Sequence, residues 1–201
     1  MESDKRQGLV FVVSSPSGGG KTSLVNMALE SLPNLKRSIS CTTRSRRPGE
    51  EDGVDYTFVD RLEFQWRITQ DRLLEWAEVY GNLYGTPKEA IEENRACGVD
   101  TILAIEIQGA RSIRQRYSEA ITIFVQPPSL EVLEQRLRKR RLDPEDAVQR
   151  RLEVALAELE WIHQYDYAIV NDELDRAFED LKAIMTAERL RVRRNPGPLP
   201  A

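Results

Sequence analysis

The stretch LVFVVSSPSGGGKTSLVNMALES, residues 9–31, decides the fold. It opens with five apolar residues, three of them valine, and such a run predicts a short buried strand. Three consecutive glycines follow at 18–20, after which a helical pattern runs from about Lys21 to Ser31 and stops before Pro33. The order of strand, glycine-rich turn and helix indicates an α/β protein whose first strand lies in a parallel sheet.

Residues 15–22, SPSGGGKT, match the phosphate-loop pattern G-x-x-x-x-G-K-[ST] except at the first position, where Ser15 replaces glycine. Glycines allow backbone N–H groups to face phosphate oxygens without an interfering Cβ, and the N-terminus of the following helix favours anions. The pattern predicts that Lys21 contacts the β- and γ-phosphates of a nucleoside triphosphate and that the Thr22 hydroxyl holds Mg²⁺. An ordinary glycine turn followed by a lysine is the alternative, but the flanking strand and helix favour the nucleotide site.

The rest of the chain repeats the alternation of strand and helix. Apolar runs at 101–106, 121–126 and 167–170 predict further buried strands. The alternation predicts a parallel sheet with helices on both faces, interrupted by an insertion over about residues 37–87. Three helical stripes of apolar residues are Leu130, Leu133 and Leu137; Val148, Leu152, Ala155, Leu159 and Ile162; and Leu174, Ala177, Phe178, Leu181 and Ile184.

Composition limits the classes of function. The 201 residues include 29 Lys and Arg and 33 Asp and Glu, which gives a net charge of −4. This negative charge argues against general nucleic-acid binding. The length is that of one globular domain, which we expect here. Cys41 and Cys97 form no CxxC pair, so we expect a reducing compartment and no structural zinc. No apolar run is long enough to span a bilayer and no signal-type segment follows the N-terminus, which predicts a cytoplasmic protein.

A basic cluster stands out against this acidic background. Between residues 36 and 47 the chain has five basic side chains and no acidic one. A small phosphorylated acceptor requires fixed positive charge, and the planar guanidinium group of arginine binds phosphate through two nitrogens. Arg44 and Arg47 are therefore predicted to close on one phosphate, with the phenolic hydroxyl of Tyr56 as a further donor.

Five segments carry a wider resemblance: SCTTRSRRPGEEDGVDY (40–56), LLEWAEVYGNLYGT (73–86), IEIQGA (105–110), VQPPSLEVLEQRL (125–137) and IVNDELD (169–175). In order and in spacing they resemble segments of the guanylate kinases over about residues 8–190. The resemblance implies that ATP, with Mg²⁺, phosphorylates GMP and also dGMP in purine metabolism, without an obligatory protein partner.

The resemblance also implies one domain in three parts. A P-loop NTPase-type α/β core, with a parallel sheet flanked by helices, would be formed by about residues 8–36, 88–135 and 152–190. The inserted GMP-binding subdomain would be about residues 37–87, and a small helical lid would be about residues 136–151. The last residues, 192–201, are predicted to be a disordered tail.

Individual roles follow from the same resemblance. Guanine presents donors at N1 and N2 and an acceptor at O6, so a carboxylate accepts from both donors and a hydroxyl donates to O6. The implied GMP-binding residues are Ser40, Arg44, Arg47, Tyr56, Glu75, Tyr84, Thr86 and Glu106. The implied ATP-binding residues are Ser15, Pro16, Ser17, Gly18, Gly19, Gly20, Lys21, Thr22, Ser23 and Asn171. The implied catalytic residues are Lys21 and the lid arginines Arg136, Arg140 and Arg151.

Simpler structural roles compete at several of these positions. The run TPKE at 86–89 is a good helix start, with Thr86 as N-cap and Glu89 closing a capping box. Glu75 could be an exposed helix carboxylate, and Asn171 could cap the last helix. The basic run at 136–151 could be a solvated helical face.

The chain departs from the family pattern at three positions. Ala104 stands where the family generally carries a carboxylate, and Glu106 stands where it carries aspartate, which puts the organisation of Mg²⁺ in question. Arg141 replaces the usual glycine of the lid. A guanylate-kinase-like binding module without catalysis is the alternative function, although Lys21 and Thr22 are both present. A kinase of the same fold for another small phosphorylated acceptor is the third.

Overall fold

The structure, a computed structural model, describes residues 6–79, 81–139 and 145–192. Its strands are β1 (Val10–Ser14), β2 (Leu35–Arg37), β3 (Cys41–Thr42), β4 (Thr57–Phe58), β5 (Leu73–Val79), β6 (Asn82–Pro87), β7 (Asp100–Ala104), β8 (Ile121–Gln126) and β9 (Tyr167–Val170). Its α-helices are α1 (Lys21–Ser31), α2 (Arg61–Thr69), α3 (Lys88–Ala96), α4 (Ile107–Arg116), α5 (Leu130–Lys139), α6 (Glu145–Leu159) and α7 (Leu174–Arg189). A 3-10 helix at Glu160–Gln164 follows α6.

Within the described ranges, five parallel strands form the central sheet in the order β2-β7-β1-β8-β9. β1 supplies side chains to both core layers because successive residues of a strand point to opposite faces. Phe11 and Val13 pack in the layer that contains α1 and α7, and Val10 and Val12 pack in the layer that contains α3 and α4. The predicted parallel sheet with helices on both faces is therefore confirmed.

A second, smaller sheet is built by the segment that interrupts the alternation. Four strands of the described chain form it in the order β4-β3-β6-β5, and β5 and β6 are antiparallel neighbours. Its own core contains the buried side chains of Cys41, Phe64, Leu73 and Leu83, with Phe64 contributed by α2. This sheet therefore has a hydrophobic core separate from the two layers of the central sheet.

Most predicted elements lie where the sequence places them. The strands at 121–126 and 167–170 and the helix at 21–31 have the predicted bounds. The strand predicted at 101–106 is shorter, because it ends at Ala104 and Glu106 becomes the N-cap residue of α4.

None of the helices in the described ranges has both the length and the apolarity needed to cross a membrane. The segment with Arg140 and Arg141, and the predicted tail beyond Val192, lie outside the described residues.

The prediction that Thr86 caps α3 is wrong. The helix begins at Lys88, and its N-cap residue is Pro87, whose side chain makes no capping hydrogen bond. β6 continues through Pro87, so Thr86 remains in a strand and lies opposite Glu75 of β5. Sheet pairing in this segment therefore overrides the local preference for a helix start.

The parallel arrangement brings chemically important residues to one edge. Val13 of β1 is paired with Ala104 of β7, so the two strands end at the same level. The glycine-rich loop follows β1, and Glu106 follows β7. Because the carboxyl ends of neighbouring parallel strands open to the same crevice, the loop and Glu106 face each other.

Asp100, at the start of β7, ties three distant parts of the chain together. Its fully buried carboxylate accepts from Arg6 Nη2 (2.7 Å), from Arg189 Nε (2.7 Å) and from the Leu9 backbone N–H (2.8 Å). The N-terminal segment, the central sheet and the last helix therefore meet at one charge.

Replacing Asp100 with alanine is expected to lower the free energy of unfolding by about 3–5 kcal/mol, because it leaves two guanidinium groups and a buried N–H without their acceptor. Urea unfolding of the parent and the variant measures this loss. The control is Glu179→Ala, which removes an exposed pair with Lys182 on α7 and should cost about 0–1 kcal/mol. Equal unfolding midpoints for the two variants would contradict the role of Asp100.

Candidate active site

The glycine-rich loop has the backbone conformation that its sequence requires. Gly18 and Gly20 have φ angles of 89° and 95°, a left-handed region that residues with a Cβ rarely adopt. The Gly19 N–H donates to the carbonyl of Pro16 at 2.9 Å, and the hydroxyl of Ser15 donates to the same carbonyl at 3.1 Å. Serine at the first position is therefore accommodated, because its small buried side chain supports the turn.

Asn171, which follows β9, holds the loop from the side. Its buried side-chain amide donates to the carbonyl of Gly19 at 2.9 Å. A Cβ on Gly20 would lie 2.1 Å from the same amide nitrogen, so the close approach requires glycine. This amide stabilises the loop, and contact with adenine stays a prediction. Asn171 does not cap α7, whose N-cap residue is Glu173.

Helix α5 covers the other side of the loop. Side-chain carbons of Leu133 and Leu137 lie 3.3 Å from the position that a Cβ on Gly18 would take. Arg136 on the same helix donates from Nη2 to the carbonyl of Asn171 at 2.9 Å. Its Nη1 is buried and has no hydrogen-bond partner among the described residues, so a donor is available beside the loop. Of the other two predicted lid arginines, Arg151 is half-buried on α6 and Arg140 lies outside the described residues.

Lys21 and Glu106 form an ion pair across the crevice. Lys21 Nζ lies 2.6 Å from Glu106 Oε1 and 3.2 Å from the carbonyl of Ile105. The Glu106 carboxylate also acts on Tyr56 of the smaller sheet region: burial is the main reason why the pKa of Tyr56 is raised, and the charge of Glu106 adds to it. Glu106 therefore pairs directly with Lys21 of the loop, and its charge reaches Tyr56 on the side predicted to bind GMP.

Arg44 is the centre of the predicted acceptor-phosphate site. Its Nε donates to the hydroxyl of Tyr84 at 3.2 Å, and its guanidinium carbon lies 5.4 Å from the ring centroid of Tyr56. Two guanidinium nitrogens donate to Glu50 at 2.7 and 3.0 Å, which raises the pKa of Arg44. Arg47 has an exposed side chain, and its backbone N–H donates to Glu50 at 2.8 Å. The structure thus brings Arg44, Tyr56 and Tyr84 together, with Arg47 at the rim.

Glu75 and Thr86 form the predicted base pocket. Glu75 lies on strand β5, not on a helix, and is only 5% exposed. The Thr86 hydroxyl donates to Glu75 Oε1 at 2.6 Å. Burial raises the pKa of the Glu75 carboxyl, while the bond from Thr86 and the charge of Arg116 lower it in part. Ser40 lies half-buried just before β3, where its carbonyl accepts the N–H of Thr57 at 3.0 Å.

Three residues of this site were missed by the sequence analysis. Glu50 stands within the quoted segment 40–56, and its position three residues after Arg47 was the available signal. Arg116 lies at the end of α4, where its Nη1 donates to the carbonyls of Leu73 and Leu74 at 3.5 and 3.3 Å. Glu158 lies in an ordinary helical pattern, so no local signal marked it.

Glu158 of α6 approaches the glycine-rich loop from the helix that follows the predicted lid. The backbone of Ser17 and the charge of Lys21 both act on its carboxylate. Burial raises the pKa of Glu158 to about 7, and the charge of Glu106 adds to this, while Lys21 and the Ser17 contact act in the opposite direction. Two carboxylates therefore flank Lys21.

The raised pKa of Glu158 makes stability depend on pH. A glutamate has an ordinary pKa of 4.5, so between that value and about 7 the folded protein binds more protons here than the unfolded chain does. This group therefore lowers stability as the pH rises through that window. We expect Glu158→Gln to raise the Tm at pH 8 relative to the parent by several degrees, since about 1 kcal/mol corresponds to roughly 2–4 °C in a domain of this size.

The comparison at pH 4.5 isolates the effect, because there the difference in Tm between Glu158→Gln and the parent should be smaller. Thermal unfolding followed by circular dichroism at both pH values gives the measurement. Glu153→Gln, at an exposed position of the same helix, is the control and should follow the parent at both pH values. If the difference in Tm between Glu158→Gln and the parent is the same at pH 4.5 and pH 8, Glu158 is not the titrating group.

Comparison with known proteins agrees with the geometry. The guanylate kinase family model matches residues 7–188. Guanylate kinase of Desulfitobacterium hafniense (strain Y51) is 50% identical over 193 residues, which cover 96% of this chain and 96% of that protein. Guanylate kinase of Geobacter sulfurreducens is 47% identical over 190 residues, 94% of each chain.

A solved structure supports the same relationship. The crystal structure of guanylate kinase from Anaplasma phagocytophilum has a TM-score of 0.80 at 36% sequence identity, and the match covers 96% of this chain and 92% of that one. Both the sequence and the fold match over almost the whole chain. The chain therefore belongs to the guanylate kinase family.

Proposed function

We propose that the two sides of this site carry out a direct, in-line transfer of the γ-phosphoryl group from ATP to the phosphate of GMP. As a guanylate kinase, the protein catalyses the ATP-dependent phosphorylation of GMP; the direct transfer and the residue roles are our proposal. The position of Glu106 is the observation that carries it. Glu106 pairs with Lys21 of the donor side and acts electrostatically on Tyr56 of the acceptor side.

On the acceptor side, Arg44, Tyr56 and Tyr84 would hold the phosphate of GMP, with Arg47 joining from the rim. Arg44 already directs two nitrogens at the oxygens of one carboxylate, Glu50, and a phosphate group accepts from the same pair of donors. Binding of GMP would thus exchange one anion for another on Arg44. We place the base against Glu75, with hydroxyls of Ser40 and Thr86 directed at guanine O6.

On the donor side, residues 15–23 would surround the phosphates of ATP, with Lys21 on the β- and γ-phosphates. The buried Nη1 of Arg136 supports a lid role for this residue, because it is a donor beside the loop without a partner among the described residues. Arg140 and Arg151 would add charge to the transferring group. Asn171 would act through the loop that it supports.

The residues present fit a magnesium ion held mainly by the nucleotide. Thr22 is exposed in the first turn of α1, and no group of three or more His, Cys, Asp or Glu side chains within the described ranges could hold a metal. Mg²⁺ keeps several waters and needs few protein ligands, so Thr22 would hold it together with the phosphates. The ion would neutralise phosphate charge. Ala104 packs against the core layer of α1 and α7 and offers no ligand. Since Mg²⁺ needs few protein ligands, we propose that the carboxylate usual in the family is not required at this position.

Positioning of the two substrates and neutralisation of the phosphate charge would account for the rate of phosphoryl transfer. The phosphate of GMP is already an anion near neutral pH, so no strong general base is needed and no covalent intermediate forms.

Because family membership establishes a kinase, the non-catalytic binding module is the weaker alternative. A cytoplasmic location, use of dGMP, and the expectation of no nucleic-acid, membrane or obligatory protein partner remain predictions from the sequence.

Lys21→Met is expected to reduce kcat by at least about 10²–10³, because it removes a preorganised charge from the transferring phosphoryl group. The dissociation constant for GMP should change by less than about threefold, since Lys21 is assigned to the phosphates of ATP and not to GMP. A coupled assay of ADP formation and calorimetry with GMP supply the two numbers. Lys36→Met, at an exposed position of β2, is the control. Turnover above a tenth of the parent value would refute the role of Lys21.

Glu75→Gln is expected to lower the ratio of kcat/KM for GMP over AMP by roughly 10²-fold, because the amide replaces one acceptor oxygen with a donor. Parallel assays with GMP, AMP, CMP, UMP and dGMP measure the change. Glu78→Gln on the same strand, where the side chain is exposed, should leave the ratio at the parent value. If Glu75→Gln also leaves it there, Glu75 does not read the base.

A further inference from the structure

We propose that Gly109 of α4 is a positioning residue that sets selectivity for guanine, because its missing side chain leaves the space that the Glu75 carboxylate occupies. The inference rests on the proposed reading of the base by Glu75. Gly109 would touch no substrate and would act only through the place and direction of this carboxylate.

The contact between helix α4 and Glu75 is direct. A Cβ built on Gly109 would lie 2.8 Å from Glu75 Oε2 and 3.1 Å from Glu75 Cδ. The first distance is shorter than real Cβ atoms show, so an alanine at 109 would force a displacement. The next atom, Ile105 Cδ1 at 3.3 Å, is the end of a side chain that can rotate. The displacement therefore falls on the Glu75 carboxylate.

The backbone gives no other reason for glycine at this position. Gly109 lies inside α4, on its buried face, and is not among the glycines with positive φ in the described chain. Glycine inside a helix is destabilising relative to alanine, since it loses more conformational freedom on folding. Local preference thus favours alanine at 109, and the space taken by Glu75 opposes it.

Glu75 has little room to move away. Its Oε1 accepts from Thr86 at 2.6 Å, and the residue is 5% exposed. The pairing of Glu75 with Thr86 in the β5–β6 ladder fixes where the side chain starts. Any rotation that relieves the contact with residue 109 would turn Oε2 away from its present direction or stretch the bond to Thr86.

Such a shift would matter most for a carboxylate that reads two donors at once. The N1 and N2 donors of guanine require both oxygens in one plane and at hydrogen-bond distance. A misplacement of about 1 Å in a binding group can cost up to roughly 10²-fold in rate. None of the three atoms nearest to a Cβ at residue 109 belongs to Lys21 or to the glycine-rich loop, so ATP binding should be little affected.

Steady-state kinetics with Gly109→Ala test the proposal. We expect the KM for GMP to rise about tenfold, the KM for ATP to change less than about twofold, and the GMP-over-AMP ratio of kcat/KM to fall by about the same tenfold factor. The matched control is Gln115→Ala, at an exposed position of the same helix, which should leave all three values unchanged. A merely structural role for Gly109 would shift the parameters for ATP and GMP together.

A double-mutant cycle with Glu75→Ala shows whether Gly109 acts through the carboxylate. In the Glu75→Ala background the clash is absent, so adding Gly109→Ala should change the KM for GMP less than about twofold. A further large rise in that background would overturn the proposal, because the effect would then not pass through Glu75.

The single variants separate the proposed recognition of guanine by Glu75 from the proposed positioning role of Gly109. If Glu75→Ala keeps the parent ratio for GMP over AMP, the proposed role of Glu75 fails. If Glu75→Ala lowers the ratio and folded Gly109→Ala does not, the role of Glu75 stands and the inference about Gly109 is overturned. Should Gly109→Ala not fold, the double variant decides: folding with the Tm of Glu75→Ala supports the inference, and failure to fold overturns it.

Discussion

The parallel register between β1 and β7 is the constraint on which the rest of the site depends. Pairing Val13 with Ala104 makes both strands end at one level, so the glycine-rich loop and Glu106 emerge side by side. The 2.6 Å contact between Lys21 and Glu106 follows from that alignment, although the two residues are 85 positions apart in sequence. A slip of one residue would turn every side chain of the strand to the opposite face and exchange the residues that β1 gives to the two core layers.

Carboxylates hold the donors that we assign to phosphate. Glu50 accepts from Arg44, and Glu106 accepts from Lys21. Phosphate binding at these points would exchange one anion for another, which limits the reorganisation required in a net acidic protein.

The smaller sheet buries a charged side chain, Glu75, to which we assign selectivity for the base. A carboxylate that is 5% exposed loses much of its hydration, which is why burial raises the pKa of Glu75. Thr86 and the charge of Arg116 compensate part of that loss. The close approach of α4 at Gly109 completes the enclosure, so β5, β6 and α4 together determine where one carboxylate points.

Local pattern was sufficient for most of the fold. The β-branched run before residue 15, the glycines of the loop and the spacing of the apolar stripes predicted the helices and the buried strands because they reflect backbone preference and burial of one face. Sequence also predicted most charged residues of the candidate site, although it missed Glu50, Arg116 and Glu158, and the resemblance to guanylate kinases supplied the proposed roles. Thr86 shows the limit, since its local signal for a helix start lost to strand pairing with Glu75.

The sequence by itself determined the class of fold and the phosphate loop, and it predicted the arginines that we propose for the acceptor side. Only the tertiary structure decided that Glu158 meets the loop, that Glu50 aligns Arg44, and that Gly109 makes room for Glu75. The physical reason is that a phosphate loop is specified by neighbours along the chain, whereas the position of a carboxylate is set by elements that are distant in sequence. Their approach is fixed by packing and register, which no local pattern encodes.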